Sequence, residues 1–241
     1  MKKIRTKIYV KVSPENNEVV FSGIEFAEFI EYLPKPIENL MLITGGSSII
    51  LAETNVERGL ELFEGFALIK KLIKQDIYNL GNFCFVDYAS AGNTSGLSEE
   101  QIAELLYMGH MFKPLHLPFF DQLRNRFAYL AHDDGWYCKL YCKNLLDFIT
   151  VLCKKITADA PIKDICEPSN DVKEKVLKLT TDGLLIDLDE SSRKSGSLEA
   201  KLYVIGAYSD MDTILNNYQK LKESATQIHS LRCDKTGWSI S

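Results

Sequence analysis

The chain has 241 residues, and its 28 Lys and Arg against 33 Asp and Glu give a formal net charge of −5. With 46% hydrophobic and 25% charged residues, the composition is that of an ordinary globular protein, which excludes collagen, coiled-coil and wholly disordered classes. The mildly acidic balance argues against a dedicated nucleic-acid-binding protein, because such proteins usually carry a basic domain or stripe. We expect one domain over residues 1–241, with a possible division into a main body (1–160) and a C-terminal subdomain (161–241).

The sequence predicts neither a membrane span nor an export signal. The first residues are basic, but apolar and charged residues then alternate, whereas a signal peptide needs an uninterrupted apolar run of about 7–15 residues. No stretch approaches the roughly 18 apolar residues of a membrane span. The six cysteines are scattered through apolar segments and resemble small core residues rather than a disulfide framework. These features predict a cytoplasmic protein.

Periodicity in the N-terminal part predicts both strands and helices. Residues 4–12 and 18–22 are predicted as strands joined by a turn, and residues 24–33 as a helix that ends at a proline. A Gly-Gly pair between two β-prone runs predicts a hairpin near residues 40–51. A long helix is predicted from Thr54 or Asn55 to about residue 79, because glutamates lie early and lysines late in that stretch.

The middle of the chain contains the clearest signals. Residues 83–88 are predicted as a buried strand, followed by a loop at 90–96 and by a helix to about residue 111 that opens with the capping box Ser98–Gln101. The stretch 127–142 predicts a hairpin around Asp-Gly, with one apolar face and one amphipathic face. The predicted opposed pairs are Phe127–Cys142, Ala128–Tyr141, Tyr129–Leu140, Leu130–Lys139, Ala131–Cys138 and His132–Tyr137.

The C-terminal part is predicted to contain two helices, a mobile polar loop and a final strand–helix–strand segment. The segment 201–233 is long enough for a crossover β-α-β unit, which requires parallel strands. Hairpins and a crossover together predict the α+β class with a mixed sheet and flanking helices.

Histidine and aspartate residues concentrate in the region 110–134. Imidazole and carboxylate groups can bind a metal or transfer protons near neutral pH. The candidates are His110, His116, His132 and Asp133, and they suggest a hydrolase or another small-molecule or metal-dependent enzyme. The alternative is that they are surface and turn residues, since their spacing matches no metal motif. The sequence identifies neither a metal nor a cofactor.

The loop after the predicted strand 83–88 is a second candidate. Gly92, Asn93 and Ser95 lie between a strand and a helix, where backbone amides can bind the phosphate of a nucleotide or second messenger. Glu99 and Glu100 follow immediately and would repel an anion at that helix end. A plain flexible loop is therefore the alternative.

Aromatic residues around the predicted hairpin suggest a third function. Trp136, Tyr137 and Tyr141 would suit a protein-binding surface, because aromatic side chains often dominate binding energy. Since no complete catalytic motif is present, our leading hypothesis is a non-enzymatic, regulatory protein-binding module of the inhibitor or immunity kind. Its partner would be another protein, and the acidic chain would favour a basic one.

Overall fold

The computed structural model describes residues 6–43, 54–75, 77, 81–132, 135–158, 160, 162, 165–194, 196–206 and 211–241. Contacts within the chain group into two compact units. The first unit comprises residues 1–15, 19–34 and 145–241, and the second comprises residues 16–18 and 35–144. The predicted single domain and its possible division at residue 160 are not tested by this grouping and stay predictions.

The first unit is built on antiparallel strands. These are β1 (Lys7–Ser13), β2 (Glu18–Ser22), β9 (Leu184–Asp187), β10 (Ser192–Lys194), β11 (Ser197–Val204), β12 (Gln227–Asp234) and β13 (Gly237–Ile240). They follow the order β13–β12–β11–β9–β1–β2, and β10 pairs with β11 outside this path. Strand β11 alternates strictly between buried and half-buried side chains, as expected when one face of a sheet is covered.

Five helices of the described chain belong to the first unit. They are α1 (Phe26–Tyr32), α4 (Leu145–Thr157), α5 (Asn170–Thr180), α6 (Met211–Asn216) and α7 (Tyr218–Glu223). Helix α4 is central to the core: its Phe148 ring lies 5.2 Å from the Phe21 ring, and its buried Lys155 lies 2.5 Å from the Glu28 carboxylate. A buried cation is costly unless it is paired, so this contact fixes α1 against α4.

The second unit is also an antiparallel sheet with helices. Its strands are β3 (Asn39–Ile43), β4 (Asn55–Glu57), β5 (Leu60–Glu64), β6 (Phe83–Tyr88), β7 (Phe127–His132) and β8 (Tyr137–Cys142). They follow the order β8–β7–β6–β3–β5–β4. Its helices are α2 (Phe66–Ile73) and α3 (Glu99–Met111). No helix in the ranges that the structure describes is long and apolar enough to cross a membrane.

Helix α3 covers one face of the second sheet. Its buried side chains join residues of the strands in a single apolar cluster, whose members include Ile102, Leu105, Met108, Ala128, Leu130 and Tyr141. The same contact requires glycine at position 109, because a Cβ atom there would lie 2.5 Å from Ile43 Cγ2 and 3.1 Å from the Ile43 carbonyl oxygen. Glycine therefore allows α3 to approach β3 closely.

The α+β class is confirmed, but the mixed sheet is corrected, because the described strand pairings are all antiparallel. The C-terminal strand–helix–strand order is present as β11, α6 with α7, and β12. However, β11 and β12 pair directly in antiparallel register from Ser197 opposite Asp234 to Val204 opposite Gln227. This direct pairing leaves no role for the parallel crossover that we predicted.

The two predicted hairpins differ in outcome. Strands β7 and β8 pair in the six predicted registers, from Phe127 opposite Cys142 to His132 opposite Tyr137. Of the hairpin near 40–51, the structure describes only the stretch that forms β3, whose described neighbours are β5 and β6. Its second arm lies outside the described residues.

The predicted long helix after Thr54 is wrong. Residues 55–64 form the hairpin β4–β5, and a helix begins only at Phe66. Arg58 and Gly59 both have positive φ, at 51° and 84°, which is the backbone of a tight two-residue hairpin turn. The turn and the sheet therefore override the helical propensity of the glutamate- and leucine-rich stretch.

Candidate functional site

The candidate site is the segment that follows helix α3. The helix starts at the predicted capping box, where Gln101 N donates to Ser98 Oγ at 3.2 Å and Ser98 N donates to Gln101 Oε1 at 3.0 Å. It ends at Met111, because Phe112 takes the left-handed conformation with φ 51°. Two prolines in the following residues prevent the helix from resuming.

Large apolar side chains in this segment face solvent. Met111 is 46% exposed, Leu115 55% and Leu117 51%. We refer to residues 111–117 as the apolar segment. Burying large apolar side chains is favourable, so such side chains usually lie in the core. Three of them exposed within one short stretch are typical of a surface that binds another molecule.

The apolar segment contacts the hairpin β7–β8 through an edge-to-face pair of rings. The ring of Phe112 lies 5.2 Å from the ring of His132, which in turn stacks on Tyr137 at 4.6 Å with an interplanar angle of 3°. The Nε2 atom of His132 is buried and has no hydrogen-bond partner in the part of the chain that the structure describes. Burial and the nearby Lys139 lower the pKa of His132 to about 4, so the ring is neutral near pH 7.

The structure separates the histidines that the sequence grouped. His110 is exposed on α3, and the exposed His116 places its Nδ1 3.3 Å from Glu104 Oε1. His132 is partly enclosed by rings, and Asp133 lies outside the described residues. Over the described ranges, no group of three or more His, Cys, Asp or Glu side chains is placed to hold a metal ion. The metal or acid–base site stays a prediction that this geometry does not favour.

The three aromatic candidates occupy different environments. Trp136 is 40% exposed and Tyr137 is half-buried. Tyr141, which we expected at the surface, is only 5% exposed, because α3 covers the hairpin face that the sequence predicted to be amphipathic. Its hydroxyl donates to Glu18 Oε2 at 2.8 Å, and burial together with Glu18 raises its pKa. The expected exposure of Tyr141 is therefore corrected.

The loop proposed for phosphate binding uses its polar groups internally. Asn93 bonds to the Ser90 hydroxyl and to the Gln122 carbonyl, and the Ser95 hydroxyl donates to the Gly92 carbonyl at 2.8 Å. A Cβ atom at Gly92 would meet nothing within 4 Å, so no close approach requires glycine there. Nucleotide binding through this loop stays a prediction with no free side chain among these groups to support it.

Asp87 next to that loop is a buried carboxylate whose partner is Arg126, a pairing that the sequence did not indicate. Asp87 accepts from Arg126 Nε at 2.8 Å, from the Arg126 backbone amide at 2.7 Å and from the Phe127 amide at 2.9 Å. The Arg126 guanidinium also donates to the carbonyl oxygens of Lys35 and Pro36. Burial raises the pKa of Asp87, against the opposing effect of Arg126 and the two amides. We call this group the Asp87 junction, and its bonds are those of a structural element.

The first unit contains a comparable charged cluster. The largely buried Lys222 contacts Glu190 at 2.6 Å and Asp187 at 3.2 Å, and the Tyr203 hydroxyl donates to Glu190 at 2.9 Å. Burial alone would lower the pKa of Lys222, but the hydrogen bonds to Glu190 and Asp187 keep it above its ordinary value. A lysine held protonated in this way is a poor nucleophile or base.

Comparison with known proteins gives no relative: no family model, no curated protein and no solved structure matches the chain. A functional assignment therefore depends on the geometry of the side chains. Among the polar candidates, His110 and His116 are exposed and His132 is neutral. The polar side chains of the 90–96 loop and of the Asp87 junction are hydrogen-bonded within the protein. The apolar segment differs from all of them, because its large side chains face solvent.

Proposed function

We propose that this chain is a non-enzymatic, cytoplasmic regulatory module that binds another protein through the apolar segment. The observation that carries the proposal is the exposure of Met111, Leu115 and Leu117 within one short stretch. Burying such side chains against a partner releases roughly 25 cal/mol per Å² of apolar surface removed from water. Exposed apolar groups of this kind are typical of protein–protein interaction sites.

The base of the apolar segment is well anchored, which supports a binding role. Gly109 packs directly on Ile43, and the Phe112 ring contacts the His132 ring of the hairpin. An anchored segment loses less conformational entropy when a partner orders it, so more of the apolar contact energy remains as affinity. The partly exposed Trp136, next to Tyr137 in the same hairpin, is an additional aromatic contact of the kind that interfaces favour.

Local charge indicates the chemistry of the partner. Residues 109–119 contain no acidic residue and include the exposed Lys113 and His110, while the exposed His116 lies beside Glu104 of α3. The net charge of the chain favoured a basic partner, but the charge of the segment itself favours the opposite. We therefore propose a partner surface in which apolar side chains are bordered by Asp or Glu, since complementary charge raises the association rate and improves specificity.

The test is affinity purification from the organism that encodes the chain, with wild type and a Leu115→Asp/Leu117→Asp variant. We expect wild type to retain a polypeptide at fixed stoichiometry and the double variant to lose it, because the new carboxylates oppose both the apolar contact and the acidic rim. Binding is then repeated with the purified partner by isothermal titration calorimetry. A loss of at least tenfold in affinity, equal to about 1.4 kcal/mol, is expected.

The matched control is Ile228→Asp, because Ile228 is 59% exposed but belongs to the first unit. This variant should bind the partner as wild type does. The melting temperature of all three proteins should agree, since the substituted side chains are mostly solvated. Equal binding by the double variant, or equal loss in the Ile228 variant, would contradict the proposal.

A further inference from the structure

The first unit contains a cleft that the proposed function does not use. It lies between helix α5 and the strands β12 and β13, and its volume is about 490 Å³. That volume is within the range of roughly 300–1,000 Å³ typical of small-molecule sites. Its lining residues are Lys175, Lys178, Leu179, Asp182, Gln227, His229, Ile240 and Ser241.

Two lysines of the cleft have no anionic partner among the described residues. On the same helix, Lys173 lies 3.9 Å from the Glu167 carboxylate. Lys175 and Lys178, one turn apart and both exposed, make no ion pair with any residue that the structure describes. Asp182 is the single acidic side chain in the lining, so the cationic side chains outnumber it.

The remaining lining groups can hold both polar and apolar parts of a ligand. The side chains of Leu179 and Ile240 are half-buried and supply apolar walls. His229 Nε2 lies 3.1 Å from Gln227 Oε1, which fixes the orientation of the imidazole on the strand side of the cleft. A few oriented polar groups among apolar walls are characteristic of ligand sites.

We propose that this cleft binds a small-molecule phosphate monoester with an apolar body. A phosphate monoester carries a charge of about −1.5 to −2 at neutral pH, which matches the two unpaired lysines better than a single carboxylate does. Lysine binds phosphate as a point charge, and Leu179 and Ile240 contact the body of the ligand. The site is independent of the apolar segment, which lies in the other unit.

The experiment titrates the full chain with phenyl phosphate, using ¹H–¹⁵N NMR and isothermal titration calorimetry. We expect saturable binding at one site, with amide shifts concentrated at Gln227, His229 and Lys178. Inorganic phosphate tests the apolar contribution and benzoate tests the charge, and both should bind more weakly. Absence of saturable binding would overturn the proposal, and equal binding of either comparison compound would overturn the corresponding part of the ligand assignment.

Variants identify the residues responsible. The double substitution Lys175→Ala/Lys178→Ala should weaken phenyl phosphate binding at least about tenfold, because both charge contacts are removed. Lys220→Ala, an exposed lysine on helix α7 of the same unit, is the matched control and should bind as wild type does. Unchanged affinity in the double variant, or an equal loss in the control, would overturn the assignment to this cleft.

Discussion

The carboxylate of Asp87 and the side chains of Leu115 and Leu117 belong to the same unit but have opposite environments. Asp87 is 4% exposed and accepts hydrogen bonds from two backbone amides and a guanidinium. The two leucines are about half exposed. A charged group that is buried and a large apolar group that is solvated both depart from the usual distribution of residues.

The difference indicates that the Asp87 junction serves the stability of this unit and that the apolar segment serves its function. Arg126 and the two amides reduce the cost of burying Asp87, so hydrogen bonds within the fold account for the junction. Nothing in the described contacts of Leu115 or Leu117 offsets their exposure. Exposing these leucines to water has a free-energy cost that the fold does not compensate. We therefore place the proposed function at the apolar segment and not at the Asp87 junction.

The strongest test of this comparison is Asp87→Asn. The substitution leaves the Arg126 guanidinium without its carboxylate and places an amide N–H opposite the donors that Asp87 binds. Removing one partner of a fully buried ion pair costs about 3–5 kcal/mol. Because Arg126 is half-buried and keeps its bonds to two carbonyl oxygens, the lower end of this range applies. We expect a loss of about 3 kcal/mol in the free energy of unfolding, measured by urea denaturation.

The matched control for the junction is Asp121→Asn, an exposed carboxylate of the same unit. Its effect should stay within about 0.5 kcal/mol. If both variants lost the same stability, the Asp87 junction would not be the structural element that its hydrogen bonds indicate, and its polar groups would again be candidates for a functional role.

The sequence predicted the hairpin β7–β8 because its pattern is local. Alternation of apolar and polar residues fixes the faces, and Gly135 with φ 76° supplies the turn conformation. What the pattern could not predict is the position of β7 between β6 and β8, with α3 packed on one face. That packing depends on contacts with distant parts of the chain, and it is the reason that Tyr141 is buried.

The missed elements have similar physical causes. Residues 55–64 are rich in glutamate and leucine and were assigned to a helix, yet the turn at Arg58 and Gly59 makes them a hairpin. The partners Asp87 and Arg126 are 39 residues apart in sequence, so spacing alone could not pair them. Likewise, Leu115 and Leu117 resemble core residues in the sequence, and only the fold shows that they are exposed.

A smaller effect is expected at the helix from which the apolar segment emerges. In Gly109→Ala the new methyl group would overlap Ile43, and overpacking costs about 1–3 kcal/mol. Alanine recovers about 1 kcal/mol through helix propensity, so a net loss of about 1 kcal/mol is expected in urea denaturation. Gly92→Ala, where a methyl group meets nothing within 4 Å, should change stability by less than about 0.5 kcal/mol. Equal effects would mean that α3 is not held tightly against β3.

The smallest effect concerns the ring contact between the hairpin and the apolar segment. The pKa of His132 is about 4 in the folded protein against an ordinary 6.5, so the unfolded chain binds more protons between these values. Stability contributed by the neutral ring is therefore lost as the pH falls from about 6.5 to about 4. His132→Phe keeps a flat ring beside Phe112 but cannot titrate. The variant should lose less stability than wild type over this range, by about 1 kcal/mol after solvent screening.

If His132→Phe and wild type lost stability in parallel, the imidazole would be solvated rather than enclosed by Phe112 and Tyr137. The apolar segment would then lack its attachment to the hairpin, and binding through it would carry a larger entropic cost. Measuring partner affinity at pH 7 in the same variant separates these effects, since a retained phenyl ring preserves the attachment while removing the titration.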